Sequence, residues 1–182
     1  MRNAMNATIR EARPADAASI ARVHVDIWRT TYRGIVPDEH LDALSYQQRE
    51  TMWARILAAP GMRTQAVFVT EDEGGRIIGF ANGGPERSHD PVYTGELYAI
   101  YLLDKCHGQG MGRRLTRSVA DWLAGKGMTS MLVWVAARNP ARYFYEALGG
   151  QHIRTKEEMI GGAIIEEIAY GWTDTSTLIR DS

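Results

Sequence analysis

The chain has 182 residues, 45% of them hydrophobic and 24% charged, with 21 Lys plus Arg set against 22 Asp plus Glu for a formal net charge of -1. That length predicts one domain, and the charge balance argues against a nucleic-acid partner, which demands a strongly basic face. No run reaches the roughly 18 apolar residues of a membrane span. Met1 to Arg13 lacks the apolar stretch of a secretory signal, and the single cysteine, Cys106, cannot close an internal disulfide. The expectation is one cytoplasmic domain over residues 1–182, loosely ordered at its first and last few residues, with neither membrane nor nucleic acid as partner.

Met1 to Asn6 reads as a lead-in, and Ala7 to Glu11 as a short strand ended by Pro14. Asp16 is placed to cap a helix reaching Tyr32, with Ile20, Val23, Ile27 and Trp28 as its apolar stripe. Gly34 and Pro37 interrupt the chain. A second helical stretch runs from Asp38 to Leu57, with a break near Ser45 where the apolar spacing slips, and stops at Pro60-Gly61. Ala66 to Thr70 and Arg76 to Ala81 form a strand pair about the turn Glu73-Gly74-Gly75, and Asn82 to Pro91 reads as a loop. Glu96 to Leu103, almost wholly apolar and aromatic, predicts a central strand buried on both faces. A glycine-rich turn leads into a helix ending near Lys126. Met131 to Ala136 is a strand, Asn139 to Leu148 a helix closed by Gly149-Gly150, and Gln151 to Glu157 with Ala163 to Trp172 a hairpin about Gly161-Gly162. The sum is an α/β fold: one mixed sheet of about six to seven strands with helices on both faces.

The stretch richest in chemistry is Leu103-Asp104-Lys105-Cys106-His107-Gly108-Gln109-Gly110-Met111-Gly112-Arg113-Arg114-Leu115, between a strand and a helix. Three alternate glycines remove three Cβ atoms, so backbone N–H groups can converge on an anion, and the following helix points its positive dipole end there. Lys105, Arg113 and Arg114 add cationic side chains. A phosphate or pyrophosphate is the implied ligand. A P-loop is excluded by the missing Gly-Lys-Ser/Thr, and the dinucleotide fingerprint fits poorly because Arg113 stands where its third glycine belongs.

On these residues the sequence resembles the GCN5-related N-acetyltransferases, whose pyrophosphate motif is Gln/Arg-x-x-Gly-x-Gly/Ala. His107-Gly108-Gln109-Gly110-Met111-Gly112 matches it except at the first position, where His107 replaces Gln or Arg. Glu96 to Leu102 looks like the family's fourth strand, and Asn139, Ala141 and Phe144-Tyr145-Glu146-Ala147-Leu148-Gly149 like its later Asn…Phe-Tyr-Glu-x-Leu-Gly segment. The resemblance implies binding of acetyl-CoA by His107, Gly108, Gln109, Gly110, Met111, Gly112, Arg113 and Asn139. It also implies that the Tyr101, Leu102 and Leu103 backbone lies in a strand that bulges and splays from Met131 to Val135, with the Leu102 amide on the acetyl carbonyl.

The implied reaction is direct transfer of acetyl from acetyl-CoA to an amine within a ternary complex. An alkyl ammonium, pKa ~10.4, must first lose its proton, and the departing thiolate must gain one. Family likeness casts Tyr145 as the general acid, with Tyr143 the weaker alternative, and Glu96 as the base, with Glu166 and Glu167 as outside choices. Cys106 needs no nucleophilic role. The acceptor pocket is implied by the first two helices and the late hairpin, giving Trp28, Tyr32, Asp38 and Glu39 as lining residues suited to a cationic amine. The five histidines, His24, His40, His89, His107 and His152, lack ligand spacing, so no metal is expected. A small-molecule amine or amino acid is the favoured acceptor and a protein or peptide N-terminus the second. A non-catalytic acyl-CoA sensor and an NAD-dependent oxidoreductase are the rivals from other classes. Homodimerisation through the final strands and Trp172 stays open.

Overall fold

A computed structural model describes residues 7–58 and 64–180, so the expected lead-in at Met1 to Asn6, the helix stop at Pro60-Gly61 and the chain's last two residues lie outside the described residues. Seven strands form one sheet: β1 (Thr8–Glu11), β2 (Ala66–Glu71), β3 (Ile77–Pro85), β4 (Gly95–Leu102), β5 (Met131–Ala136), β6 (Gln151–Ile160) and β7 (Ala163–Trp172). Their order is β1-β2-β3-β4-β5-β7-β6, antiparallel throughout except for the β4–β5 pair. The helices are α1 (Ala17–Thr31), α2 (Asp38–Asp42), α3 (Tyr46–Leu57), α4 (Met111–Gly125), α5 (Arg142–Ala147) and α6 (Ser176–Ile179).

Apolar periodicity decides which helix covers which face. The predicted stripe of α1, Ile20, Val23 and Ile27, is buried together with Trp53 and Leu57 of α3 against Val67, Val69 and Phe80 of the sheet. On the opposite face Leu115, Val119 and Leu123 of α4 pack with Leu97, Met131, Val133 and, from α5, Tyr145 and Leu148. The break near Ser45 falls between α2 and α3, where the Ser45 hydroxyl accepts the Gln48 N–H as a helix cap. Asp16 starts α1 without capping it: its carboxylate is taken by the Arg10 guanidinium and the Arg13 N–H. The hairpin turn falls at Gly161 (φ 60°) and Gly162 (φ 83°), and a Cβ on Gly161 would lie 2.6 Å from that of His40, so this turn presses on α2.

Four expectations need correction. Asn82 to Pro85 belong to β3 rather than to a loop. The glycines there serve close packing, since a Cβ on Gly83 would stand 2.5 Å from Val119 of α4. Strand β4 is buried only from Gly95 to Leu97; from Tyr98 to Leu102 it is half-buried, because the sheet opens beside it. Trp172 is 3% exposed, its indole N–H donating to the Leu148 carbonyl, and offers no surface for a second subunit. Helix α6, unforeseen, follows Asp174, whose carboxylate accepts the Ser176 N–H and which has no long apolar run after it to announce a helix.

His24 carries a pH consequence. It is 8% exposed among Trp53, Phe80 and Tyr101, its Nδ1 accepts the Trp53 indole N–H, and burial pushes its pKa down to about 3. The folded state therefore keeps it neutral where the unfolded chain protonates below about pH 6.5. Unfolding free energy is expected to fall on acidification from pH 6.5 toward 4, at up to about 1.4 kcal/mol per pH unit from this residue. Urea titrations across that range check it: His24→Gln should show the shallower slope, and parallel profiles would refute the assignment.

Candidate active site

The site begins where β4 and β5 part. They pair at three positions only, Gly95↔Met131, Glu96↔Leu132 and Leu97↔Val133. The β3–β4 register then skips one residue, from Gly83↔Leu97 to Asn82↔Ala99, which makes Tyr98 a bulge residue. Beyond it β4 follows β3 while β5 follows β7, and the two strands diverge into a cleft of about 120 Å³.

Strand alternation decides which backbone groups face that cleft. Leu103 N–H donates to Ile78 O of β3, and Tyr101 pairs with Phe80 in the same ladder, so the amides of Tyr101 and Leu103 turn to β3. Only Leu102 of the three expected positions directs its N–H and C=O to the open side. The Leu102 carbonyl meets the His107 ring Nε2 at 2.7 Å; since a carbonyl only accepts, that nitrogen is the donor. His107 thus secures the strand end, a task unlike that implied for the Gln or Arg it replaces.

The glycine turn lies at the foot of the cleft. Gly108 (φ 72°) and Gly110 (φ 78°) both adopt the left-handed conformation with open space where a Cβ would stand, and Gly110 immediately precedes α4. Gly112 is needed for contact, its Cβ position lying 3.1 Å from the Phe144 ring. Met111 is buried, while Gln109 donates its side-chain amide to the Lys105 carbonyl. Arg113 is exposed on the first turn of α4. Arg114 is directed away, to the Ala7 carbonyl just before β1. Cys106 is fully buried and its thiol pKa is raised by that burial, consistent with no chemical task.

Polar aromatic groups line the opposite wall. Tyr145 of α5, 5% exposed, reaches the cleft together with Tyr32, Tyr101 and Asn139. Burial pushes the Tyr145 phenol above its ordinary 10.0, with the neighbouring Tyr32 adding to the effect. Tyr101 is raised well above the ordinary value by burial, and Tyr32 is raised by burial against hydrogen bonds with Tyr101 and Asn139. All three are therefore neutral hydrogen-bond donors at neutral pH. Asn139 is buried, its Oδ1 holding the Ala141 N–H at the entry to α5.

The other expected site residues are dispersed. Trp28 lies behind the wall, stacked on Tyr32 at 4.5 Å with its indole N–H donating to the Tyr101 hydroxyl. Asp38 pairs with Arg33 at the surface, Glu39 is exposed, and neither lines the cleft, so the expected acidic lining is absent. Glu96, 2% exposed, stands just below the cleft with both oxygens bound to Arg87. Tyr143 points outward at 58% exposure, and Glu166 is exposed. Glu167 lies near enough to Tyr32 to influence it and pairs with Lys156. Among the lining residues that sequence reasoning did not single out are Tyr98 and Trp134. Each sits inside an apolar strand, and only the bulge and the divergence of the strands expose it. Among the described residues no three His, Cys, Asp or Glu cluster to hold a metal ion, and no helix is long and apolar enough to cross a membrane.

Comparison with known proteins bears on this arrangement. Residues 86–160 match the family model described as FR47-like protein. The Bacillus subtilis (strain 168) protein named "Uncharacterized N-acetyltransferase YuaI" is 42% identical over 171 residues, 94% of this chain and 95% of that one. Among solved structures, an N-acetyltransferase from Staphylococcus aureus Mu50 superposes with a TM-score of 0.70 at 22% identity, over 92% of this chain and 98% of that one. The PaiA N-acetyltransferase of Thermoplasma acidophilum, in complex with coenzyme A, gives 0.69 at 17% identity, over 90% and 98%. The chain belongs to the GCN5-related N-acetyltransferase family, and is by that membership an acetyl-CoA-dependent N-acetyltransferase.

Proposed function

We propose that this enzyme acetylates a small-molecule amine, an amino acid included, by direct attack, with the thioester end of acetyl-CoA lying between β4 and β5. The observation that carries this is the junction of three features at one cleft: the left-handed Gly108 and Gly110 before α4, the outward-facing Leu102 amide, and the buried Tyr145 phenol. The residues present fit the group. Gly108, Gly110 and Gly112 with the first turn of α4 would hold its pyrophosphate, and Asn139 would lie beside its amide arm. When bound, acetyl-CoA supplies an acetyl group already activated as a thioester.

This chain's own residues then position and move protons. The Leu102 N–H faces the cleft as a donor for an acyl oxygen. Tyr145, kept neutral by burial, donates its phenolic proton to the departing sulfur. Glu96, with both oxygens on Arg87, is reached by an amine proton only if Arg87 is displaced, so it serves to position Arg87 and Tyr98, while the amine loses its proton to water. A cytoplasmic setting belongs to the same proposal.

Isothermal titration tests cofactor use: acetyl-CoA should bind in the micromolar range and NAD should not. In Gly110→Ala, a side chain in the left-handed region costs about 1–2 kcal/mol, which the free turn relieves by leaving that conformation; regaining it on binding should lower affinity about tenfold. Equal binding of NAD would favour the oxidoreductase alternative. Tyr145→Phe keeps the ring volume and should retain acetyl-CoA affinity while kcat falls about 100-fold or more; unchanged turnover would remove the general-acid role. Because its pKa lies above 10.0, Tyr145 should produce no alkaline decline in kcat below about pH 10. Glu96→Gln should lower kcat less than about tenfold and leave the acid limb of kcat/KM in place; disappearance of that limb would make Glu96 the base itself.

A further inference from the structure

The sheet face reached from the cleft toward β6 carries three ion pairs of one design. Arg87 pairs with Glu96 at side-chain exposures of 62% and 3%, Arg154 with Asp90 at 40% and 2%, and Lys156 with Glu167 at 40% and 17%. In each the carboxylate is sunk toward the protein and the cation presented to solvent. Long Arg and Lys side chains commonly keep their charged heads in water, so what marks these three pairs is their place beside the cleft rather than their asymmetry. Each carboxylate also occupies only part of its partner's donors, since a guanidinium has five N–H groups and an ammonium three. A fourth carboxylate, Glu158, meets Lys156 at 3.2 Å but is 49% exposed, an interaction a ligand oxyanion can replace at little cost.

These cations also share one floor. Arg154 and Lys156 stand 5.6 Å and 4.5 Å from the Trp134 ring centroid, and Arg87 lies 4.2 Å over Tyr98. Trp134 and Tyr98 both line the cleft that holds Tyr145 and Tyr32. The register explains the grouping: Trp134 of β5 opposes Ala169 of β7, which opposes Arg154 of β6, and the small Ala169 lets the indole and guanidinium meet across it. Asp90, in the β3–β4 connection, ties that connection to β6 through Arg154 and thus closes the rim.

We infer that the acceptor is an amine that also carries an oxyanion, a carboxylate or a phosphate ester, bound by Lys156, Arg154 and Arg87 above Trp134 and Tyr98. This rests on the acetyl transfer proposed above and adds the acceptor's chemical class to it. The rim selects the oxyanion by direct donors, while the half-buried aromatic floor raises the strength of those contacts by displacing water. An amine without an oxyanion leaves the remaining N–H donors of these side chains unfilled and is the poorer acceptor.

The test is a thiol-release assay with acetyl-CoA on matched acceptors: each proteinogenic L-amino acid against its α-amide, and O-phosphoethanolamine against ethanolamine. The amide amine gives up its proton more readily, so the comparison is biased against the inference. At least one oxyanion-bearing member should exceed its partner lacking the oxyanion by about tenfold or more in kcat/KM, and the two sets of pairs distinguish carboxylate from phosphate. Lys156→Gln should cut that preference about tenfold, an effect of roughly 1.4 kcal/mol. It is the variant to use because Arg154→Gln would strand the buried Asp90 and endanger folding. Partners lacking the oxyanion acetylated equally well, or no oxyanion-bearing amine acetylated by protein that binds acetyl-CoA, would overturn the inference. Failure to bind acetyl-CoA would instead remove the acetyl-transfer reading beneath it.

Discussion

A sheet is held by its ladder of backbone hydrogen bonds, and here the ladder stops halfway along the parallel β4–β5 pair. After Leu97↔Val133 the bulge at Tyr98 lets β4 continue with β3 while β5 continues with β7. A backbone donor or acceptor sealed from any partner costs about 1–3 kcal/mol, so a divergence of this kind survives only where the exposed groups are served. His107 takes the Leu102 carbonyl, and the other freed groups face the open cleft. Everything chemical is arranged around that opening, with the glycine turn at its foot, α5 on one side and the β6–β7 hairpin on the other.

The walls combine bulk with retained protons. Burial raises Tyr101 and Tyr145 because the phenolate, unlike the phenol, loses much when water is removed. A set of tyrosines is thereby fixed as donors over the whole neutral range. Charge is kept at the margins instead, on the rim formed by Arg87, Arg154 and Lys156, where each cation leans on a carboxylate buried more deeply than itself. Behind the wall, His24, Trp28, Trp53 and Phe80 form an aromatic layer that sets the height of Tyr101.

Much of this was legible in the residues themselves. Periodicity located the principal helices and strands because each buries one stripe or one face, a local property of the pattern. Alternating glycines before a basic helix start marked the turn, because the left-handed conformations of Gly108 and Gly110 depend on a missing Cβ and need no distant partner. The motif singled out Tyr145, which lines the cleft.

What the sequence by itself determined, then, was most of the elements, the family and the glycine turn, all written in short-range spacing. Tertiary structure alone decided the bulge at Tyr98, the commitment of Glu96 to Arg87, the retreat of Trp28 behind Tyr32, and the emergence of Trp134 beneath Arg154 and Lys156. Each of these joins residues from separate strands, helices or loops across the sheet. Their partners are chosen by register and by where two strands diverge, and neither is encoded in the spacing of any one segment.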